Sequence, residues 1–460
     1  MATEGNKSAR EIATQVLQQS DPCRDYVGPI LDKFLAQTTQ TQRATDLVFG
    51  TIRNRAAIDT VITVFSGRPV QQIPAELLSI LRVAIFELVY CPDTPQYSIV
   101  NEAVEQAKRV GGKKQFGFIN AVLREITRGI SQRQIELSKT DAARTLPQTV
   151  HTGCEFDRRF LPDPETEPAD YSATAFSLPG WLVSRWLEDY GWQAVRQICF
   201  ASTRRPGTYI RPNPLKTTTQ KLAELLHQDG IELEIAEGED MIKLKAAHSP
   251  AELPGFDQGL FTVQDITAAQ AVGMLQPQQD WRILDICAAP GTKTTQLAEA
   301  TGDAAKIVAT DIDERRLQKV KENVARLGIR SVQIISYEQI ERKTRDIGLF
   351  DAILLDVPCS NTGVLARRPE VRWRIKRKTP TKLAAVQAKL LTKAASLAKP
   401  GGKICYSTCS IQKEENGSLI EQFLRESCGF KLEREQLFLP CAEQFDHDGG
   451  YVAIIANAQP

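Results

Sequence analysis

Ile283-Leu284-Asp285-Ile286-Cys287-Ala288-Ala289-Pro290-Gly291-Thr292-Lys293-Thr294-Thr295 is an apolar run that breaks into a turn of small residues and resumes as a helix. A short run that is apolar at successive positions, closed by Gly and Pro, reads as a strand buried on both faces. Outward from it, short apolar strands alternate with helical patterns from Leu260 to the end. The strands expected are Arg282 to Ile286, Ile307 to Asp311, Val332 to Ser336, Ala352 to Asp356, Lys403 to Ser407 and Tyr451 to Ala456. That alternation implies a parallel sheet with helices on both faces.

Ligands of such sheets bind beyond the carboxyl ends of the strands. Ala288, Ala289 and Gly291 let a ligand approach the backbone, Lys293 can reach a carboxylate, and the amides at the helix start favour negative charge. The spacing is neither Gly-x-Gly-x-x-Gly nor a phosphate-binding loop, which argues against a dinucleotide or a nucleoside triphosphate. The next strand ends in Thr310-Asp311-Ile312-Asp313, where an acidic side chain can accept the two hydroxyls of a ribose. A lone Asp there could equally cap a helix; the small-residue turn upstream favours ribose.

Two further strands run into cysteines: Leu354-Leu355-Asp356-Val357-Pro358-Cys359-Ser360-Asn361-Thr362-Gly363 and Cys405-Tyr406-Ser407-Thr408-Cys409-Ser410. A single cysteine is usually a small buried hydrophobe. Two at strand tips, each followed by Ser at the edge where a ligand is expected, point to chemistry. Directly after the first lies Arg367-Arg368-Pro369-Glu370-Val371-Arg372-Trp373-Arg374-Ile375-Lys376-Arg377-Lys378. Arg367, Arg368, Arg372 and Arg374 suit phosphates and Trp373 suits base stacking; a charge run is usually a solvated surface, but its place beside Cys359 favours RNA contact. Arg204, Arg205 and Arg211 could widen that surface.

Toward the N-terminus, apolar residues recur at three- and four-residue steps from Ser8 to Ile126, as in Ile58, Val61, Ile62, Phe65 and Leu77, Leu78, Leu81, Ile85, Leu88. This predicts a helical bundle broken at Gly67 with Pro69, at Pro92 and Pro95, and at Gly111 with Gly112. Residues 131–168 are polar and proline-bearing, and read as a connector with little core. From Leu178 to Gly259 two helices and short strands suggest a small α+β unit. At 460 residues the chain is too long for one core.

The net charge of +1 means that a nucleic-acid partner must be held by a local patch. No apolar run reaches the length of about 18 residues that a membrane helix needs. The polar start is unlike a signal peptide, so a cytoplasmic location with free thiols is expected, and no membrane partner. His151, His227, His248 and His447 stand far apart, and no metal site is expected.

Asp285-Ile-Cys-Ala-Ala-Pro-Gly-Thr-Lys-Thr, Leu355-Asp-Val-Pro-Cys-Ser-Asn-Thr-Gly, and Tyr406-Ser-Thr-Cys-Ser with Glu414-Glu415-Asn416 resemble the motifs of the RNA 5-methylcytosine methyltransferases of the bacterial RsmB (Sun, Fmu) type. Gln96-Tyr-Ser-Ile-Val-Asn-Glu-Ala-Val and Phe118-Ile-Asn-Ala-Val-Leu-Arg resemble the NusB-like domain of that subfamily, so the likeness spans nearly the whole chain. It implies an all-α NusB-like bundle over 1–140 that binds RNA or protein, a small α+β RNA-binding subdomain over 170–255, and an α/β Rossmann-like methyltransferase domain over 256–460. It implies S-adenosylmethionine as cofactor, small-subunit (16S) ribosomal RNA as substrate, and a monomer.

Carried over by motif, Cys409 is the nucleophile and Cys359 assists product release. Cofactor contacts fall on Cys287, Ala288, Ala289, Pro290, Gly291, Thr292 and Lys293, on Asp311 and on Asp356. A thiol suits this chemistry because carbon 5 of cytosine is a poor nucleophile. Addition of a thiolate to carbon 6 makes carbon 5 enamine-like and divides one hard step into easier ones. Two positions depart from the family pattern: Thr292 replaces a Gly where the backbone is expected to bend, and Tyr337, with Glu338 beside it, replaces an acidic residue near the adenine. A DNA cytosine methyltransferase and a non-catalytic RNA-binding assembly factor are the rival readings.

Overall fold

The computed structural model describes residues 7–236, 238, 240–246 and 248–458. They group into two compact units, one running to Arg205 and taking in Leu365–Arg377, the other formed by Pro206–Val364 and Lys378 onward.

The first unit opens with seven helices, Ala9–Gln19, Val27–Leu35, Thr41–Arg53, Arg55–Ser66, Ala75–Tyr90, Gln96–Val110 and Lys113–Gly129. Ser8 and Glu11 close the first of them with a reciprocal capping box. Three of the breaks, at 67–74, 91–95 and 111–112, fall on the Gly and Pro signals expected to interrupt the bundle, whereas those at 20–26, 36–40 and Asn54 do not, and Gly67 ends its helix in the left-handed region at φ 65°.

The expectation for residues 131–168 is corrected. They form a three-stranded antiparallel sheet of β1 (Ile130–Glu136), β2 (Thr145–Pro147) and β3 (Thr152–Phe156), ordered β1-β3-β2. Leu146, Cys154 and Phe156 are fully buried, and the Phe156 ring meets Phe65 at 5.6 Å between centroids. Arg133 donates to the carbonyls of Glu87, Leu88 and Cys91 at the end of a neighbouring helix and to those of Pro92 and Thr94 beyond it. The polar composition hid a segment whose few apolar side chains all point inward, and whose charge satisfies helix-end carbonyls. The helical stretch Gly180–Thr203, broken at Gly191 with φ 76°, also belongs to this unit. The first unit therefore extends through Arg205.

The second unit begins with a four-stranded antiparallel sheet of β4 (Thr208–Pro212), β5 (Leu233–Ala236), β6 (Met241–Leu244) and β7 (Phe261–Val263), ordered β5-β6-β4-β7. Helix Thr219–Gln228 covers it through Leu222 and Leu226, which pack with Ile210, Ile242 and Phe261. Arg211 is buried, and its guanidinium binds Glu299 at 3.0 Å, so it braces the unit from inside and offers no RNA surface.

Seven strands follow: β8 (Arg282–Asp285), β9 (Lys306–Ala309), β10 (Val332–Ile334), β11 (Phe350–Asp356), β12 (Ala398–Thr408), β13 (Phe430–Phe438) and β14 (Gly450–Asn457), ordered β10-β9-β8-β11-β12-β14-β13. The first five are parallel, whereas β14 runs antiparallel to both β12 and β13. The expected parallel sheet is thus mixed at one end. Ile283, Leu354 and Cys405 face the helices Ile266–Leu275 and Thr292–Ala300, while Leu284, Ile353, Leu355, Ile404 and Tyr406 face Thr379–Ala395 and Gly417–Glu426. Burial of both faces is why these strands read as unbroken apolar runs. Strand β13 was not expected. It is an edge strand with Lys431, Glu433, Arg434 and Glu435 exposed, and an edge kept polar in this way carries no apolar run to read.

Candidate active site

At the carboxyl edge of this sheet, the turn after β8 is held by backbone. The Ala288 N–H donates to Thr310 O at 2.9 Å and the Gly291 N–H to Ala288 O at 2.6 Å. Gly291 sits at φ 104°, and a Cβ there would lie 3.1 Å from the Val320 Cα, so both conformation and space require glycine. Thr292 is the first residue of the helix that follows. Gly291 is therefore the left-handed residue of the turn, and the extra side chain at 292 falls on ordinary helical backbone. This corrects the expectation that the backbone bends at 292.

Asp285, which ends β8, is almost wholly buried and accepts from Thr294 Oγ1 at 2.7 Å. Burial pushes its carboxyl up to about 7, against the hydrogen bond from Thr294. It braces the turn from beneath. Asp311, just past β9, accepts from the Ala289 N–H at 3.2 Å and from the Asp313 N–H at 3.0 Å. Arg316 joins them, with Nη2 donating to Ala289 O at 2.8 Å and Nη1 lying 3.6 Å from Asp311 Oδ2. The ribose candidate and the small-residue turn are thus one hydrogen-bonded assembly. Tyr337 and Cys287 pack against the same core cluster, whereas Glu338 is exposed, so of the two it is the aromatic residue that faces inward.

Lys293 Nζ bonds Asp356 Oδ2 at 2.7 Å, and Ser407 Oγ donates to Asp356 Oδ1 at 2.9 Å. Burial lowers the ammonium's pKa, but the Asp356 charge and hydrogen bond outweigh it and the net shift is upward. Lys293 therefore remains a cation at neutral pH. The residues fit S-adenosylmethionine by their donor chemistry: a carboxylate at the β9 tip for vicinal hydroxyls, an aromatic ring beyond β10, and a turn whose small side chains admit a close approach.

Cys359 and Cys409 are fifty positions apart in sequence, yet their sulfurs lie 3.0 Å from each other. The Cys409 thiol also donates to Asn361 Oδ1 at 3.1 Å. Cys359 is buried and Cys409 only partly so, which leaves Cys409 the more accessible of the two. The Cys409 contact, followed by burial and the Glu415 charge, holds the Cys359 thiol well above its ordinary pKa. The motif spacing did not reveal how these loops are held. Ser360, Ser410, Gln387 and Glu415 form a buried network beneath them. The one signal in the sequence was Glu414-Glu415-Asn416, which has the look of a motif but carries no role on its own.

The basic run has another fate. Residues 365–377 belong to the first unit, where Arg372 is 2% exposed. Its guanidinium donates to the carbonyls of Arg53 at 2.7 Å, Phe176 at 3.1 Å, Ser202 at 2.6 Å and Leu365 at 3.3 Å. Trp373 Nε1 donates to Ile52 O at 3.1 Å, and Arg374 lies 4.2 Å from the Tyr26 ring centroid. Arg372 as an RNA contact is therefore corrected: it is a buried strut, and Trp373 is tied to the same helices. Arg368, Arg377 and Lys378 are exposed. Among the described residues there is no cluster of metal-ligating side chains, and no helix is long and apolar enough to cross a membrane.

Comparison with known proteins adds the following. The family described as 16S rRNA methyltransferase RsmB/F matches residues 272–452, the NusB family residues 7–128, and an RsmF/B-like ferredoxin-like domain residues 178–250. The chain is 32% identical to ribosomal RNA small subunit methyltransferase B of Serratia proteamaculans, across 93% of this chain and 92% of that protein. It is 29% identical to the probable ribosomal RNA small subunit methyltransferase B of Synechocystis, across 98% and 96%. The crystal structure of PH0851 superposes with a TM-score of 0.74 at 24% identity, covering 98% of this chain and 99% of that one, a likeness of fold.

Proposed function

The chain belongs to the RsmB/F family of 16S rRNA methyltransferases, and from that membership we infer how its own residues divide the reaction. The protein is an S-adenosylmethionine-dependent enzyme that methylates carbon 5 of a cytosine in 16S ribosomal RNA. In our reading Cys409 is the nucleophile. The observation that carries this is the sulfur pair: two thiols in contact at the sheet edge, one buried and one accessible.

Cys409, as thiolate, adds to carbon 6 of the cytosine, and carbon 5 becomes the nucleophile. Bound S-adenosylmethionine supplies an activated methyl. Loss of the carbon 5 proton then lets the bond between Cys409 and carbon 6 break, and Cys359 is positioned to return a proton to the departing sulfur. Lys293 and Ser407 fix the Asp356 carboxylate, and Asp311 fixes the cofactor turn. A duplexed target would have to be extruded to reach the thiol. The direct test is transfer of labelled methyl from S-adenosylmethionine to bare 16S rRNA, with the product mapped as 5-methylcytosine. A label found on any other atom or base would overturn the assignment.

We take residues 1–140 as the NusB-like region serving RNA or protein binding, 170–255 as the RNA-binding subdomain and 256–460 as the catalytic domain. We also take the enzyme to work as a monomer in the cytoplasm. Support comes from a single chain providing both cysteines and the cofactor turn, and from a ribosomal substrate. Of the basic run, Arg367, Arg368 and Arg374 are retained as RNA contacts, to which the exposed Arg377 and Lys378 are added.

Asp311→Ala should weaken S-adenosylmethionine binding by about tenfold or more, since hydrogen bonds to a charged acceptor are each worth roughly 1.5–3 kcal/mol. RNA affinity should change less. Calorimetry in which RNA affinity falls further than cofactor affinity would remove Asp311 from this site.

A further inference from the structure

Between the two cysteine loops lies a carboxylate to which the reaction above gives no part. Glu415 ends the short turn Lys413–Glu415 and has no measurable exposure. Its Oε1 accepts from the Ser360 N–H at 2.8 Å and from Gln387 Nε2 at 3.1 Å. Its Oε2 accepts from the hydroxyls of Ser360 and of Ser410, the latter at 2.6 Å. Ser360 follows Cys359 directly and Ser410 follows Cys409. One rigid group therefore grips the residue next to each sulfur.

We propose that Glu415 is a positioning residue that locks the loops after β11 and β12 into one register, and so keeps the Cys359 and Cys409 sulfurs in contact. Burying a carboxylate is costly unless its acceptor sites are filled, and four donors fill them here. Burial raises the Glu415 pKa, opposed by its hydrogen bonds from Ser360, Ser410 and Gln387. Because all four donors point at it, the ionised form fits the network best. The clamp is anchored from outside the loops as well. Gln387 Nε2 reaches Pro358 O at 2.9 Å, and the Tyr406 hydroxyl donates to Glu415 O at 2.6 Å, which ties the turn to β12. Other bridges between the loops run from Ser410 Oγ to the Ser360 and Thr362 hydroxyls at 3.0 and 3.1 Å, and from the Ile411 N–H and Gln412 Nε2 to Thr362 Oγ1 at 3.1 and 3.3 Å. Two more run from the Cys409 thiol to Asn361 Oδ1 at 3.1 Å and from the Gly363 N–H to Cys409 O at 3.0 Å. What Glu415 and its partner Gln387 add is a hold on the backbone on either side of Cys359, at the Ser360 N–H and at Pro358 O. The catalytic consequence rests on the cytosine mechanism, in which Cys359 must meet the sulfur that leaves carbon 6.

The test reads the sulfur pair without requiring methyl transfer. Diamide takes two electrons and two protons from a pair of thiols, becoming the hydrazine as the disulfide forms. The rate of Cys359–Cys409 bond formation, followed by peptide mapping of the full-length protein, thus reports how often the sulfurs meet in bonding geometry. Glu415→Ala should slow this by at least about fivefold and lower kcat by roughly tenfold to hundredfold, the scale of a displacement near 1 Å. The KM for S-adenosylmethionine should stay within about twofold of wild type. Glu415→Gln, which keeps shape and one acceptor, should fall between Ala and wild type in both readouts; if the Ala variant does not fold, the Gln variant carries the comparison. A stabilising role alone would lower the melting temperature and leave crosslinking unchanged. Folded variants that crosslink at the wild-type rate overturn the clamp. A wild-type protein that crosslinks but methylates no RNA overturns the cytosine mechanism instead.

Discussion

Cys409→Ala abolishes methyl transfer, with an expected loss in kcat of at least about 10³-fold, because removing a nucleophile removes the step that makes carbon 5 reactive. Folding and cofactor binding should survive, since the side chain is only partly buried and its one oxygen partner is Asn361 Oδ1. Cys359→Ala should behave differently. Addition and methyl capture can proceed without it, but the departing sulfur loses its neighbour, so RNA should accumulate attached to protein and survive a denaturing gel. The pair is informative because one geometry yields opposite defects. Methyl transfer by Cys409→Ala at the wild-type rate, or an adduct trapped by Cys409→Ala instead of by Cys359→Ala, would reverse or remove the roles.

The second large effect lies outside the sheet. Arg372→Ala should destabilise the first unit by about 3–5 kcal/mol, since it deletes four charge-assisted hydrogen bonds and strands buried carbonyls around a cavity. For a unit of this size that is a drop of about 10 °C in the melting temperature. Burial, with the Arg53 charge nearby, pulls the guanidinium down to about 9, so it is still protonated at neutral pH and acts as a charged donor to all four oxygens. Arg372→Lys should recover only part of the loss, because one ammonium cannot reproduce a planar fork. Thermal unfolding followed by near-ultraviolet circular dichroism checks this. An unchanged melting temperature together with a weaker, more salt-dependent affinity for RNA would restore Arg372 as a phosphate contact.

The two arginines deep in the molecule, Arg211 and Arg372, mark where reading the chain in one dimension runs out. Each sits in a basic or polar context that suggests a surface, and each is buried because acceptors far away in sequence converge on it: Glu299 for one, and carbonyls from three distant segments, joined by that of nearby Leu365, for the other. The same limit hid the sheet at 130–156 and the edge strand Phe430–Phe438. Strands as short as Thr145–Pro147 and Thr152–Phe156, or in which polar residues outnumber apolar ones, as in Ile130–Glu136 and Phe430–Phe438, leave too few apolar positions to give a period. The strands buried on both faces were legible to within a few residues, because burial on both sides forces apolar residues at consecutive positions.

The sequence by itself determined the parts whose chemistry is local. The Ala288-to-Gly291 turn follows from backbone sterics, the strand tips at Asp311 and Asp356 follow from where apolar runs stop, and the bundle follows from its three- and four-residue period. Only the tertiary structure decided what depends on distant pieces meeting. It brings Cys359 to 3.0 Å from Cys409, places Glu415 beneath both, and turns Arg372 inward. Hydrogen bonds and desolvation act over a few ångströms of space whatever the separation along the chain, and a linear pattern records only neighbours along the chain.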